Sequence, residues 1–135
     1  MDEQERFKKG MEARRRVLGD AHVDRALAAR DELTAEFQDL LTRYAWGEIW
    51  TRPGLDERTR RMLVLAMLVA LGRDAELKMH LAAAFDHGMS REDVKEVLLQ
   101  TAVYCGLPAA NNGFRIAQEV LASRAGQASQ THDDA

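Results

Sequence analysis

The stretch MLVLAMLVAL, residues 62–71, is apolar on every side of the helix that its composition predicts. Asp56 precedes it as a plausible N-cap and Gly72 follows it, so we predict a helix from about residue 56 to residue 71. A helix without a polar face belongs at the centre of a core or in a subunit interface. The run is far shorter than the ~20 residues that cross a bilayer, so no membrane association is predicted.

The rest of the chain also favours helices, because it holds only two prolines and no segment with sustained β-type alternation. Helices are predicted at about residues 2–18, 24–44, 74–87, 91–105 and 109–124. Ser90 and Asp93 match a capping box, with Asp in place of the usual Glu, before the helix that places Cys105 on its apolar side. We therefore predict an all-α fold, with one domain of about six helices over residues 1–124 and a flexible polar tail over residues 125–135.

The composition narrows the functional classes. The chain has 135 residues, 46% of them hydrophobic, which fits one globular domain. The net charge of -3 argues against a nucleic-acid partner, which normally requires a basic excess. One cysteine excludes an intrachain disulfide and suits a reducing compartment. The charged N-terminus has no apolar leader, so a cytoplasmic protein is expected.

Glu76 and His80 stand one helical turn apart, next to the predicted apolar stripe of their helix. A carboxylate in that position can orient an imidazole and raise its pKa, which suits a general acid near neutral pH. The alternative is a surface pair on a solvated face. A metal site that adds His87 is also conceivable, but the spacing is not the HExxH pattern and no metal is predicted.

The segment WGEIWTRPGL, residues 46–55, is predicted to be a loop that carries both tryptophans of the chain. Arg52 could grip a carboxylate with its planar guanidinium, and the alternative is that the indoles fill a gap while Arg52 is solvated. The run Arg14–Arg16 is predicted to be a solvated face, from which one arginine could reach an anionic ligand. Cys105 is interpreted as a small apolar filler rather than a nucleophile.

Five strings together resemble the carboxymuconolactone decarboxylase family, which has the alkylhydroperoxidase-D-like all-α fold. They are residues 15–24 (RRVLGDAHVD), 46–55, 76–80 (ELKMH), 96–100 (EVLLQ) and 104–111 (YCGLPAAN). Peroxidase-type members of the wider family carry a CxxCxxxH motif, and those positions here are Arg73, Glu76 and His80. Because both cysteines are absent, the resemblance favours a decarboxylase over a disulfide-based peroxidase.

The resemblance implies an activity and a site. The implied reaction is the decarboxylation of 4-carboxymuconolactone, a small lactone, to β-ketoadipate enol-lactone in protocatechuate breakdown, by a homo-oligomer that is commonly a hexamer. The lactone supplies its own electron sink, so no cofactor is expected. The predicted catalytic residues are His80, Glu76 and Glu48, and the predicted substrate-binding residues are Arg52, Trp46, Trp50, Tyr104 and Arg15. The alternative is a helical domain of this fold with a non-enzymatic or redox-partner role.

Overall fold

The computed structural model describes residues 1–133, and within that range it contains seven α-helices, one π-helix and no strand. The all-α fold is therefore confirmed. The helices are α1 Glu3–Leu18, α2 Asp20–Ala28, α3 Ala35–Leu41, the π-helix Thr42–Ile49, α4 Glu57–Leu71, α5 Asp74–Asp86, α6 Arg91–Cys105 and α7 Leu107–Asp133. The chain divides into two compact units, residues 1–60 and residues 61 onward.

The single helix predicted over residues 24–44 is wrong. Helix α2 begins earlier, at Asp20, and the chain leaves the helical path after Ala28. In the break, Asp31 accepts hydrogen bonds from the backbone N–H and the hydroxyl of Thr34, at 3.1 and 3.2 Å. The Asp31 N–H donates in return to Thr34 Oγ1. Such local side-chain bonds give the backbone an alternative to the helix, and they account for the break.

The first half of the predicted tryptophan loop is also helical. The Trp50 N–H donates to Ala45 O across five residues at 3.0 Å, which is the spacing of a π-helix. Only the part of the segment after Ile49 is a turn region. The tryptophans are therefore held on or next to a widened helix, an irregularity that often marks a functional site.

In the first unit, α1 lies against the π-helix at two glycines. A Cβ atom on Gly10 would overlap Thr42 O and would lie 2.9 Å from Gly47 N. A Cβ atom on Gly47 would overlap Arg6 O. The two backbones thus approach so closely that only glycine fits at either position, and this contact positions the tryptophan segment against α1.

In the second unit, helices α4 to α7 share an apolar core. Its buried members are Leu65, Val69, Leu77, Leu81, Ala84, Met89, Val94, Leu98, Ile116, Ala117 and Val120. Helix α4 is not surrounded by this core, because Leu63, Met67 and Leu71 are exposed on its other side. Of the two predicted placements of α4, the centre of a core does not hold for the single chain, and the subunit interface stays a prediction.

The predicted helix signals mostly hold. The Thr59 N–H donates to Asp56 Oδ1 at 2.7 Å, and Ser90 and Asp93 form the reciprocal capping box. Helix α7 continues to Asp133, so its predicted end at Arg124 is too early. Residues 134 and 135 lie outside the described residues, and the division into a domain and a tail stays a prediction. No helix among residues 1–133 combines the length and apolar character needed to cross a bilayer.

Candidate functional site

The two tryptophans form a stacked pair in the first unit. Their ring centroids lie 5.1 Å apart with an angle of 19° between the planes. Trp46 is 7% exposed, whereas Trp50 is only partly buried. The hydroxyl of Thr51 donates to Gly47 O at 2.7 Å and stabilises the end of the segment. Because Trp46 is buried, only the partly exposed Trp50 ring of this stacked pair is accessible to a ligand in the single chain.

Two charged residues flank this pair in sequence. Glu48 is partly exposed, and its Oε2 lies 3.5 Å from Arg6 Nη1, so α1 helps to orient this carboxylate. Arg52 is exposed. Its backbone O accepts a hydrogen bond from Arg60 Nη2 at 3.2 Å, and this bond contributes to the position of the loop.

Arg15, the predicted N-terminal contact, is bound to carboxylates of its own unit. Its Nη1 lies 3.0 Å from Asp20 Oδ1 and 2.9 Å from Asp24 Oδ1. These hydrogen bonds raise the pKa of the Arg15 guanidinium. A ligand carboxylate would have to compete with both aspartates for Arg15.

Arg14 departs from the prediction of a solvated run. It is only 5% exposed, whereas Arg16 is exposed and pairs with Glu57 at 2.9 Å. The sequence contains a signal for this burial, because Arg14 is in helical phase with the small residues Gly10 and Ala13 and the apolar Val17. All three are buried, so the inward face of α1 is this stripe.

His22 lies near two arginines, Arg14 and Arg25. Burial lowers the pKa of its imidazole, and the positive charges of Arg25 and Arg14 lower it further. His22 therefore favours its neutral form in the folded chain more than in the unfolded chain.

The depressed His22 pKa predicts a pH dependence of stability. As the pH falls below about 6.5, the unfolded chain takes up a proton at His22 before the folded chain does, so this residue lowers the free energy of unfolding. We expect the free energy of unfolding, measured with urea, to fall less in His22→Gln than in the wild type when the pH is lowered from 7.5 to 5.5. His87→Gln, at an exposed histidine, is the matched control. An unchanged pH slope in His22→Gln would contradict the prediction.

The second unit carries the Glu76 and His80 pair on α5. His80 is partly buried next to the core residues Leu77 and Leu81, whereas Glu76 is exposed. His87 lies at the end of the helix, where its Nδ1 is 2.8 Å from Ala83 O. Among the side chains that the structure describes, no three from His, Cys, Asp or Glu form a group that could hold a metal ion. The alternative of a metal site at these residues therefore gains no support.

Tyr104 and Cys105 lie at the end of α6. Tyr104 is 80% exposed, and the free Cys105 is exposed as well. The interpretation of Cys105 as a core filler is thus wrong for the single chain, because α6 buries Val94, Leu98 and Thr101 instead. The sequence pattern placed Cys105 four residues after Thr101, but the core does not extend to the last turn.

Comparison with known proteins identifies the family. Residues 35–119 match the carboxymuconolactone decarboxylase family. A relative from Acinetobacter baylyi, named 4-carboxymuconolactone decarboxylase, is 44% identical over 121 residues, which cover 90% of each chain. This chain belongs to the carboxymuconolactone decarboxylase family. The resemblance inferred from the tryptophan segment and the strings around His80 and Tyr104 is confirmed.

Two further relatives are similar to this chain. A protein from Metarhizium robertsii, named nitrosuccinic acid decarboxylase, is 34% identical over 115 residues, which cover 85% of this chain and 80% of the relative. A second 4-carboxymuconolactone decarboxylase, from Pseudomonas putida, is 52% identical over 48 residues, which cover 36% of this chain and all of the relative. The matched range 35–119 includes every predicted site residue except Arg15.

Proposed function

We propose that this chain is a carboxy-lyase that converts 4-carboxymuconolactone to β-ketoadipate enol-lactone in protocatechuate breakdown. The observation that carries the proposal is the 44% identity to the Acinetobacter baylyi relative over 90% of both chains. A cytoplasmic location is part of the proposal and is consistent with a chain that holds one cysteine.

The chemistry requires little from the protein beyond positioning and a proton. The γ carbon of the lactone carries a carboxylate and an acetate arm. When the carboxylate leaves as CO2, its bonding electrons pass through the ring double bond to the lactone carbonyl and form a furan-like dienolate. A proton then adds to the carbon α to the carbonyl and gives the enol-lactone. Because the ring accepts the electrons, no pyridoxal, thiamine or metal is required.

In the second unit, His80 is proposed to deliver that proton or to donate a hydrogen bond to the developing oxyanion. Its position at the edge of the core supports the role, since a partly desolvated donor interacts more strongly with developing charge. Glu76, one turn earlier, is proposed to orient the imidazole. Tyr104 is proposed as a substrate contact, which its exposed side chain leaves accessible.

In the first unit, Trp46 and Trp50 are proposed to form an apolar wall beside the carboxylate that leaves. Such a wall disfavours the charged carboxylate and favours neutral CO2. Glu48 is proposed as a further group for proton transfer, and Arg6 orients it. Arg52 and Arg15 are proposed contacts of the substrate anion.

The direct test is turnover of two substrates by the purified chain. We expect 4-carboxymuconolactone to release CO2 and give the enol-lactone, as followed by 13C NMR. Nitrosuccinate is the competing substrate, because the Metarhizium robertsii relative is named for it. Preference for nitrosuccinate would replace the proposed substrate. Absence of decarboxylation with both would favour the non-enzymatic alternative.

Arg52→Ala is expected to lower kcat/KM for the lactone by no more than about fivefold, because an exposed ion pair contributes up to about 1 kcal/mol. The loss is expected to disappear at high salt, where exposed charges are screened. Arg15→Ala is the comparison, and we expect a smaller effect because two aspartates already bind Arg15. If Arg52→Ala instead lowers kcat/KM by more than tenfold at every salt concentration, Arg52 contacts the substrate in a site shielded from water.

We also propose that the chain forms a homo-oligomer, specifically a hexamer. Large apolar side chains recur at helical spacing on exposed faces of both units, and monomers rarely leave such faces uncovered. In the first unit these side chains are Leu33, Phe37, Leu40 and Tyr44. In the second unit they are Leu63, Met67 and Leu71 on α4, Leu99 and Val103 on α6, and Leu107 at the start of α7. Burial of these faces between copies would account for the apolar α4.

We expect sedimentation at micromolar concentration to give a homo-oligomer for the wild type and a smaller species for Val103→Asp. Val103 is 77% exposed in the single chain, so the new carboxylate is tolerated in a monomer but costs free energy in an apolar interface. Ser123→Asp, at an exposed polar position, is the control. A monomeric wild type would contradict the prediction.

A further inference from the structure

Arg14 is a buried cation without a hydrogen-bond partner for two of its nitrogens. Its Nε and Nη1 atoms are shielded from solvent, and neither is hydrogen-bonded within the part of the chain that the structure describes. Asp20 and Asp24, two carboxylates that follow Arg14 in the sequence, are both bound to Arg15. The residue itself is only 5% exposed.

This state is costly for the protein alone. A buried donor that makes no hydrogen bond forfeits its hydration, and a buried charge forfeits more. Burial lowers the pKa of the Arg14 guanidinium, and the charge of Arg15 lowers it further. An arginine nevertheless stays charged in proteins, so deprotonation does not relieve the cost. Native proteins rarely leave such donors unsatisfied without a functional reason.

The surroundings of Arg14 favour an anion. The positive charges of Arg14 and Arg25 both act on His22, so each of these two cations lies within electrostatic reach of that imidazole. A guanidinium binds a carboxylate through its Nε and Nη2 edge or through its Nη1 and Nη2 edge. Because Nε and Nη1 are both unpartnered, each edge retains at least one donor that makes no hydrogen bond.

We propose that Arg14 binds the carboxylate of the substrate that is retained, which in the lactone is the acetate arm. The inference rests on the proposed function for the identity of this carboxylate, and on the buried guanidinium for its place. A planar guanidinium matches a planar carboxylate, and a contact shielded from solvent is stronger than one at the exposed Arg52. Arg52 then supplies only screened attraction.

A binding experiment tests this contact without turnover. The probe is muconolactone, which has the ring and the acetate arm but carries hydrogen where the substrate has the departing carboxylate. Its methyl ester is the matched neutral probe. We expect the wild type to bind the acid more tightly than the ester in calorimetry, by roughly 10–150-fold, the value of one charge-assisted contact.

The variant Arg14→Met is expected to bind the acid no more than about fivefold more tightly than the ester, which is the contribution of an exposed arginine such as Arg52, and its ester affinity is expected to match that of the wild type. Arg16→Met is the control on the same helix, since Arg16 is exposed and paired with Glu57. The melting temperature gives a second readout. Removal of an unpaired buried charge is expected to raise it in Arg14→Met without ligand, whereas a purely structural role would lower it.

Discrimination between acid and ester as large in Arg14→Met as in the wild type would overturn the inference, and so would equal binding of both probes by the wild type. If Arg14→Met does not fold, Arg14→Lys replaces it. An ammonium cannot reproduce the fork, so weaker discrimination than in the wild type supports the inference and full discrimination overturns it.

The outcome is separable from the proposed function. If the wild type does not decarboxylate the lactone but Arg14→Met still loses its preference for the acid, only the proposed function is refuted. Normal turnover with an unchanged KM in Arg14→Met would refute only the role of Arg14.

Discussion

Replacement of His80 by alanine is expected to lower kcat for 4-carboxymuconolactone by at least about 100-fold, because a positioned acid contributes about 10²–10⁴-fold to a proton transfer. His80 is partly buried at the edge of the core formed by Leu77 and Leu81, and alanine is tolerated at such a position in a helix. Single-turnover measurement of enol-lactone formation gives the rate, and circular dichroism verifies that helix content is retained.

Two further variants separate catalysis from structure. His87→Ala removes an exposed histidine of the same helical segment and is expected to leave kcat unchanged. Glu76→Gln keeps the size of the side chain but removes its charge, so a role in orienting His80 predicts a smaller loss of kcat and a shifted pH profile. Wild-type turnover in His80→Ala would remove this residue from the mechanism.

The second large effect concerns folding of the first unit. Gly10→Ala is expected to lower the free energy of unfolding by roughly 3 kcal/mol, at the upper end of overpacking costs. The new methyl group would overlap Thr42 O, and neither this backbone oxygen nor the nearby Gly47 N can move without displacing the π-helix. Urea unfolding followed by tryptophan fluorescence measures the change, because both indoles lie in or beside that helix.

Gly54→Ala is the matched control for Gly10→Ala. A Cβ atom on Gly54 meets no atom within 4 Å, so alanine there is expected to leave stability unchanged or to raise it slightly through the unfolded chain. Equal stability of Gly10→Ala and the wild type would contradict the close approach of α1 and the π-helix.

Several elements were predictable because their signals are local. The cap at Asp56, the capping box at Ser90 and the glycine after α4 each depend on neighbours within a few residues, and all three hold. The tryptophan segment and the strings around His80 and Tyr104 were sufficient to identify the family. The break between α2 and α3 was not predicted, because Asp31 and Thr34 fit the polar face of a continuous helix. In the structure, their side chains form hydrogen bonds with the backbone instead.

The site was less predictable than the fold. The sequence placed Glu76 one turn before His80 and both tryptophans within one segment, and α5 and the π-helix preserve those relations. It could not rank the three successive arginines, because charge alone suggests solvent for all of them. Their different environments depend on Asp20, Asp24 and Glu57, which lie on other segments of the chain.

The all-helical class, the helix starts at Asp56 and Ser90 and the family follow from local composition and short strings, since helix periodicity and capping require no distant contact. The π-helix, the burial of Arg14 and the exposure of Cys105 depend on packing between segments. At Gly10 and Gly47 the two backbones approach within the space of a methyl group. That approach turns the face with Arg14 inward. A contact between segments distant in sequence cannot be predicted from a local sequence pattern.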